Sequence, residues 1–593
     1  MDNTRLQKSD MKMITNLSFR LLPIQVLLAM INAINGIVSG IFASNFIGSD
    51  AMGAVGLYSP LALLIGAIAM MLVGGSQILC GEFKGKNLLD RTQDIFSLDI
   101  IISTGFSVLM IAFVLLSGIF DLTGIFTKDP VIRPLFNQYL IGMSIGILPQ
   151  ILGQQLSGFL SLENQTKRTF AASIAYILIN LVLNYIFVGK LRMEAFGLAL
   201  ASSIGLWIFF LVQARYFVSK KAVLRFKFKN FKFSDSKDII RIGAPGALSF
   251  GYQAIRGLVL NSMILGAVGS AGLSAFSACN SFMPLFWAIP SGMMAVSRML
   301  ISVSVGEEDR QTLKDIMRVV FYRYIPLMCI IAAGIIIFAR PIARMYFHDE
   351  MSDVFIMTMR GFRIIPFCMP LSVICMHFTC YGQAMNKQVL IHSLALLDGV
   401  VNMVVCSAVM MPFFGMDSIY YANICNGTIT VLFVLFYAWI CNKHFPKNMD
   451  DLLVIPKDFG YSEESRMDIS VDTIEEVTSL AESVQRFCEG KGIEGKRAKL
   501  AGLAIEEMAG NIVVHGFTKD KKKHSIDVRV AEKDGSLILR IKDDCIAFDP
   551  SERKDISDPE DPVKNIGIRM IYSMAKSVQY QNILGLNVLT IRI

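Results

Sequence analysis

The hydrophobic pattern of this 593-residue chain changes once, near position 450. Before that point, apolar stretches follow one another with short polar interruptions, each about the 20 residues that a helix needs to cross a bilayer. Twelve such helices are predicted, at 19–44, 51–80, 95–119, 133–159, 168–189, 195–218, 242–267, 272–303, 315–338, 357–384, 388–411 and 418–441. After it the periods shorten. The pattern predicts a strand near Arg466–Val471, helices over 472–489 and 494–515, and strands over 525–532 and 536–543. An irregular segment over 545–564 precedes a helix over 566–576 and strands over 577–583 and 587–592. Two helices before a sheet and one within it describe an α/β sandwich with its helices on one face.

The expected fold class is therefore a polytopic α-helical membrane protein, twelve transmembrane helices in two six-helix lobes, carrying a cytoplasmic α/β sandwich. The divisions are 1–18 as a polar N-terminus, 19–218 as the first lobe and 219–241 as a basic linker. Residues 242–442 form the second lobe, 443–462 a polar linker with Pro446 and Pro456, and 463–593 the soluble domain.

Composition agrees with a membrane body. Mean hydropathy is +0.53 and only 18% of residues are charged, against roughly 25% in soluble domains. The net charge of +8 divides into +11 over residues 1–459 and −3 over 460–593. The excess sits in loops, which points to bilayer orientation and away from nucleic acid. Lys84, Lys86, Arg91, Lys167, Arg168, Arg310, Lys314 and the run Ser219–Lys229 fall in one set of alternate loops, which predicts both termini in the cytoplasm of a multi-pass inner-membrane protein. The 11 cysteines show no metal-ligand spacing and imply no disulfide framework.

The body repeats. Ile47–Ala54 aligns on Val268–Ala275, and the same register matches Gly85 with Gly306 and Asp94 with Asp315. Asn180–Asn184 matches Asp398–Asn402, and Phe196-Gly197 matches Phe414-Gly415. Six crossings per half give both halves one orientation around a central cavity.

Charges inside the bilayer are costly and so are functional candidates. Asp398 is a candidate proton-coupling carboxylate, or a structural hydrogen-bonding group facing His392. Arg256 could meet an anionic substrate or pair with Asp398. Asn180, Asn184 and Asn402 could line a polar cavity or tie helices together. Asp99, nearer a helix end, is expected at the interface. In the soluble region, Glu507 and Asn511 stand four residues apart on one helix face, a disposition suited to activating water and holding Mg²⁺. No Gly-x-x-x-x-Gly-Lys-Ser/Thr loop is present, which disfavours an ABC-type pump.

The duplicated body resembles the multidrug and toxic compound extrusion (MATE) family over about residues 15–445. The carrying features are Gly48–Gly56, Pro60 and Gly81–Lys86. The resemblance implies a cation-coupled antiporter for small molecules, driven by H⁺ or Na⁺, whose two lobes rock to alternate access. This chain departs from the family where relatives carry acidic residues: it has Ser39 or Asn35 in the first helix, Gln253 in the seventh, and Arg360, Arg363 and His377 in the tenth.

Residues 465–593 resemble the Bergerat-fold (GHKL) ATPases, most closely the anti-sigma-factor serine kinases. Glu507–Asn511 with His515-Gly516 matches the N box, Ile541–Pro550 the adenine box, and Asn565–Ile571 the glycine-rich start of a helix. The resemblance implies ATP and Mg²⁺ as cofactors, Glu507 as general base and Asn511 as metal ligand. It implies Asp543 as the acceptor of the adenine amino group, Asn565 and Gly567 at the phosphates, and Thr590 near adenine. Cys545 and Ala547 replace two family glycines. Segment 551–564 is either a lid or a solvated loop, and Lys519–Lys523 reads as a solvated turn.

The combined expectation is an ion-coupled efflux antiporter with a cytoplasmic ATP-binding regulatory domain. Two alternatives stand beside it. One is a membrane-anchored serine kinase of the anti-sigma type acting on an anti-anti-sigma-like partner, with the transporter-like body as sensor. The other is a flippase for an anionic lipid-linked substrate, suggested by Arg256, Arg298 and Arg363.

Overall fold

The computed structural model describes residues 11–42, 47, 49–125, 130, 132–227, 232–347, 349–461, 465–518, 524–533, 535–553 and 566–593. The first lobe is α1 (Met11–Phe42), α2 (Ser49–Gly85), α3 (Leu89–Ile119), α4 (Ile132–Leu162), α5 (Thr166–Asn184) and α6 (Glu194–Val218). The second opens with α7 (Ser236–Ala267) and α8 (Ser270–Gly306). Its third crossing joins α9 (Arg310–Val319) to α10 (Ile325–Ile337), and α11 (Ala339–Arg344) follows. Its fourth joins α12 (Asp353–Ile364) to α13 (Met369–Ala384), its fifth joins α14 (Gln388–Leu396) to α15 (Asn402–Phe414), and α16 (Asp417–Asn442) is the sixth.

Among the described residues eleven helices are long and apolar enough to span a membrane. The one long helix outside that set is α7, whose 32 residues include Gln253, Arg256 and Asn261. Several helices run past their apolar stretches. The first begins at Met11, eight residues before the apolar run at Phe19, and α3 begins at Leu89. That extension places Asp99 ten residues inside α3, where it is fully buried rather than interfacial.

The repeat has a structural counterpart. A π-turn lies at each matched polar stretch: Tyr185–Lys190 directly follows Asn180–Asn184, and Leu397–Val401 overlaps Asp398–Asn402. The lobes meet through α1 against α8, α2 against α7, and α2 against α8. A Cβ on Gly85 would lie 2.3 Å from the Val303 carbonyl oxygen, and one on its repeat partner Gly306 would lie 1.9 Å from that of Glu82. Only glycine permits backbones this close. The same holds where Gly243 of α7 meets the Met71 carbonyl. Farther along α7, Gly251, Gly257 and Gly266 have no neighbour among the described residues within 4 Å of where a Cβ would sit. The lobes are thus sealed at the end where α2 and α8 terminate.

Beyond α16, the chain makes α17 (Met449–Leu453), whose Asp450 binds Arg310 at 2.6 Å and Lys314 at 3.2 Å. The C-terminal domain follows as β1 (Arg466–Val471), α18 (Ile474–Gly490), α19 (Gly495–Asn511), β2 (Ile526–Lys533), β3 (Ser536–Asp543), α20 (Ile566–Met574), β4 (Ser577–Ile583) and β5 (Leu586–Arg592). Its five strands are antiparallel in the order β1-β2-β3-β5-β4.

Period-2 alternation divides the sheet into two faces. Ile469, Val528, Ile541, Leu589 and Ile591 pack with Val484, Ala501 and Ile505 of α18 and α19 into a core separate from that of the body. The other face carries a cross-strand row of Asp468, Arg529, Arg540 and Thr590. This second face lies against the helical body. Ile583, Leu584, Leu586 and Val588 belong to the body's own apolar core, alongside Met13, Ile14 and Leu17 of α1.

Candidate functional site

A cavity of about 380 Å³ opens on the helical face of the sheet, between α19, α20 and the ends of β3, β4 and β5. It is within the usual size range for small-molecule sites. Met508, Ile512, Phe548, Ile568 and Leu589 give it apolar walls, and Asn511, His515, Asp543 and Asn587 supply polar groups. The amphipathic period of α19 sets this arrangement. Ala501, Ala504, Ile505 and Met508 are buried against the sheet, and Asn511 extends the same helix to the cavity rim.

Asp543 is 4% exposed at the end of β3. Its Oδ1 accepts from Asn587 Nδ2 at 2.7 Å and from the Cys545 backbone N–H at 3.0 Å. Burial pushes its carboxyl above the ordinary carboxylate value, and these two donors counter that only in part. Asn587 is itself held by Tyr580, whose hydroxyl donates to Asn587 Oδ1 at 2.7 Å, and by Asn582 at 2.9 Å. Asn587 and Tyr580 have no counterpart in the sequence expectations. The signal that could have found them is the alternation of β5, which puts Asn587 on the same face as Leu589 and Ile591.

Glu507, one helical turn before Asn511, reaches α20: a Cβ on Gly567 would lie 1.9 Å from Glu507 Oε2. The fold therefore brings Glu507, Asn511, Asp543 and Gly567 to one end of the domain. Thr590 is a correction. Strand parity turns it to the opposite face, where its hydroxyl accepts from Arg540 Nε at 3.4 Å, so it does not line the cavity. Asn565, residues 554–564 and 519–523, and the side chains of Asn35 and Ser39 lie outside the described residues.

In the membrane body, Asp398 sits in the π-turn between α14 and α15. Its Oδ1 accepts from Asn426 of α16 at 2.8 Å, while His392 is exposed; the expected His392 pairing is replaced by a tie to the neighbouring helix. Arg256 donates to the Asp398 backbone carbonyl at 3.3 Å, so it meets the peptide and not the carboxylate. Asn180 bonds Ser202 at 3.2 Å, Asn184 bonds Asn180 at 2.9 Å, and Asn402 bonds Thr430 at 3.4 Å. These bonds tie α5 to α6 and α15 to α16, equivalent pairs in the two halves. Gln253 is exposed on α7.

Comparison with known proteins accounts for both regions. The MatE family model matches residues 10–186 and 245–407, more than half of the sequence, and the chain belongs to that family. A second model, the histidine kinase-like ATPase domain, matches residues 471–593. The probable multidrug resistance protein NorM of Listeria innocua is 24% identical over 330 residues, 54% of this chain and 70% of that protein. Its Bacillus subtilis namesake is 22% identical over 362 residues, 59% of this chain and 77% of its own. Among solved structures, an outward-facing conformation of a multidrug resistance MATE family transporter superposes with a TM-score of 0.66 at 19% identity, covering 71% of this chain and 94% of that one. A transporter of the same superfamily from Pyrococcus furiosus gives 0.65 at 20%, with the same coverage. The chain is thus a multi-pass MATE efflux transporter carrying a histidine kinase-like ATPase domain, a module that implies nucleotide binding. The cavity has room for a small-molecule ligand, with apolar walls and the buried carboxylate of Asp543 in its lining.

Proposed function

We propose that the chain is an ion-coupled efflux antiporter whose C-terminal domain binds ATP with Mg²⁺ in the cytoplasm and regulates transport. The observation that carries this reading is the cavity itself. It joins Asn511, Asp543 and Asn587 to apolar walls in a domain docked directly on the transporter. Asp543 accepts from the exocyclic amino group of the base. Asn511 is the side chain placed to hold the metal, and Glu507 orients water or a hydroxyl at the phosphates. The nucleotide supplies a phosphoryl group and its charge; the protein contributes the walls, the acceptor and the base.

In the membrane, Asp398 is the coupling carboxylate. Its tie to Asn426 breaks on protonation of the bonded oxygen, so ion occupancy is transmitted to α16. The basic loops supply the orientation, with both termini in the cytoplasm. The test uses full-length protein in proteoliposomes. Asp398→Asn should abolish ion-driven export of a fluorescent cation while fluorescent-nucleotide binding is retained, and Asp543→Ala should do the reverse to nucleotide binding. Export unchanged in Asp398→Asn would overturn the coupling role. Phosphate transfer to a partner protein that disappears in Glu507→Ala would replace the regulatory role with a kinase.

A further inference from the structure

The face of the sheet that turns away from the nucleotide cavity grips both lobes of the transporter. On the second lobe it holds the turn between α8 and α9. Lys542 Nζ reaches Glu307 Oε2 at 2.5 Å and Asp309 Oδ2 at 3.1 Å. Arg529 Nη2 reaches Asp309 Oδ1 at 2.7 Å while its Nε binds Asp468 at 2.5 Å, and Arg540 donates to the Glu307 carbonyl at 3.1 Å. Glu307 and Asp309 are 3% and 2% exposed. Arg466 Nε takes the other oxygen of Asp468 at 3.1 Å, so Glu307, Asp309 and Asp468 meet Lys542, Arg529, Arg540 and Arg466 in one largely buried cluster. Burial opposes the ionisation of Asp309, yet Arg529 and Lys542 overcome it and hold its carboxyl well below the ordinary value.

On the first lobe the grip is different. Arg20 of α1 donates to the Leu584 carbonyl at 3.0 Å, and the β4–β5 turn at Gly585 packs on Arg20 and Asn164 so closely that a Cβ would meet both within 3.0 Å. Met13, Ile14 and Leu17 cover Ile583, Leu584, Leu586 and Val588. Glu307 immediately follows Gly306, the residue at which α8 meets α2 across the sealed end. One rigid sheet therefore spans the seam between lobes at the end that must part for the inner cavity to open.

We propose that the C-terminal domain is a clamp across the two lobes, and that the inner end of the transporter opens only after Glu307 and Asp309 leave Lys542, Arg529 and Arg540. This deepens the regulatory reading above and rests on its membrane orientation. The clamp and the cavity share strands. Lys542 precedes Asp543 on β3, and Asn587 stands between Leu586 and Val588 on β5. A nucleotide that shifts either residue therefore moves a neighbour that holds the transporter.

The test is inter-lobe distance in the full-length chain in nanodiscs, with spin labels on introduced noncanonical residues at Lys167 and Val389. Both positions lie at the start of helices on the sealed end, one in each lobe. The variant Glu307→Gln with Asp309→Asn removes both body-side charges, leaves every residue of the domain intact and keeps an Asn to cap α9. The inner-separated population should rise roughly tenfold, and Lys542→Glu should do the same from the other side. An unchanged distance distribution in Glu307→Gln/Asp309→Asn overturns the clamp. Binding of a fluorescent ATP analogue, measured on the same samples, separates the two claims. Native protein that ignores the nucleotide refutes the regulatory ATP reading, while the distances still decide the clamp.

Discussion

The two faces of one sheet follow opposite rules. On the helical face, β3 and β5 contribute Ile541, Leu589 and Ile591 to a dry core and leave a single carboxylate, Asp543, at the edge of a cavity. On the other face the same strands present Arg540 opposite Thr590 and Lys542 opposite Val588. Charges on an open sheet face would ordinarily be solvated and contribute little. Here the helical body covers them, so each must be paired, and the pairs specify where the domain sits. Burial raises the pKa of Asp543; at Asp309 burial pushes the same way, and Arg529 and Lys542 outweigh it and lower the pKa. The lesson is that burial alone does not set the sign of a carboxylate's shift. The charge facing it does.

The largest effect that would break this contrast is loss of Lys542. Lys542→Ala takes the ammonium from both acids and leaves Glu307 facing Arg540 at 3.9 Å and Asp309 held by Arg529, at a cost approaching about 3 kcal/mol to docking. Hydrogen exchange should then accelerate over 307–312 and 583–588, with the core helices α18 and α19 unchanged. Next comes Asp543→Ala, which removes the acceptor of the Cys545 N–H and leaves Asn587 Nδ2 with the Cys545 carbonyl at 3.2 Å. Nucleotide affinity should fall by about 5–150-fold, corresponding to about 1–3 kcal/mol, with docking protection intact. Equal loss of both properties in either variant would mean that the faces are not separable.

The pH dependences should have opposite signs. Asp309 has a depressed pKa, so its contribution to stability is present above the ordinary carboxylate value of about 3.9 and is lost as pH falls through the depressed value. Asp543 has a raised pKa, so its contribution is present below that ordinary value and is lost as pH rises through the raised one. Asp543→Asn retains an acceptor oxygen for both donors and removes the buried charge. It should raise the melting temperature of the domain more at pH 7 than at pH 4, even as nucleotide binding weakens. The smallest effect sharpens the comparison most. Thr590→Val removes one hydrogen bond from Arg540, about 0.5–1.5 kcal/mol of docking, and should leave nucleotide affinity unchanged.

The sequence singled out Asn511 and Asp543, which line the cavity, and Glu507, which lies one helical turn before Asn511 against Gly567; helix period and strand ends make these placements local. Thr590 was misplaced by motif position, although parity with Leu589 and Ile591 would have turned it outward. Asp398 was legible as a polar residue in an apolar run, but its partner was not. Asn426 lies 28 residues away on a separate helix, and the nearer His392 points elsewhere. The lower apolarity of α7 is visible in the sequence as Gln253 and Arg256, yet its role as half of the inter-lobe seam follows only from Gly243 meeting Met71.

The sequence alone determined two architectures and their order, since apolar length, the twofold repeat and strand alternation are carried by neighbouring residues. Only the tertiary structure decided that Glu307 and Asp309, in a short loop between helices, would meet Arg529 and Lys542 more than 200 residues later. Charge patterns mark such residues as soluble by default. What buries them is a surface built from distant segments, and no local period encodes which surfaces will meet.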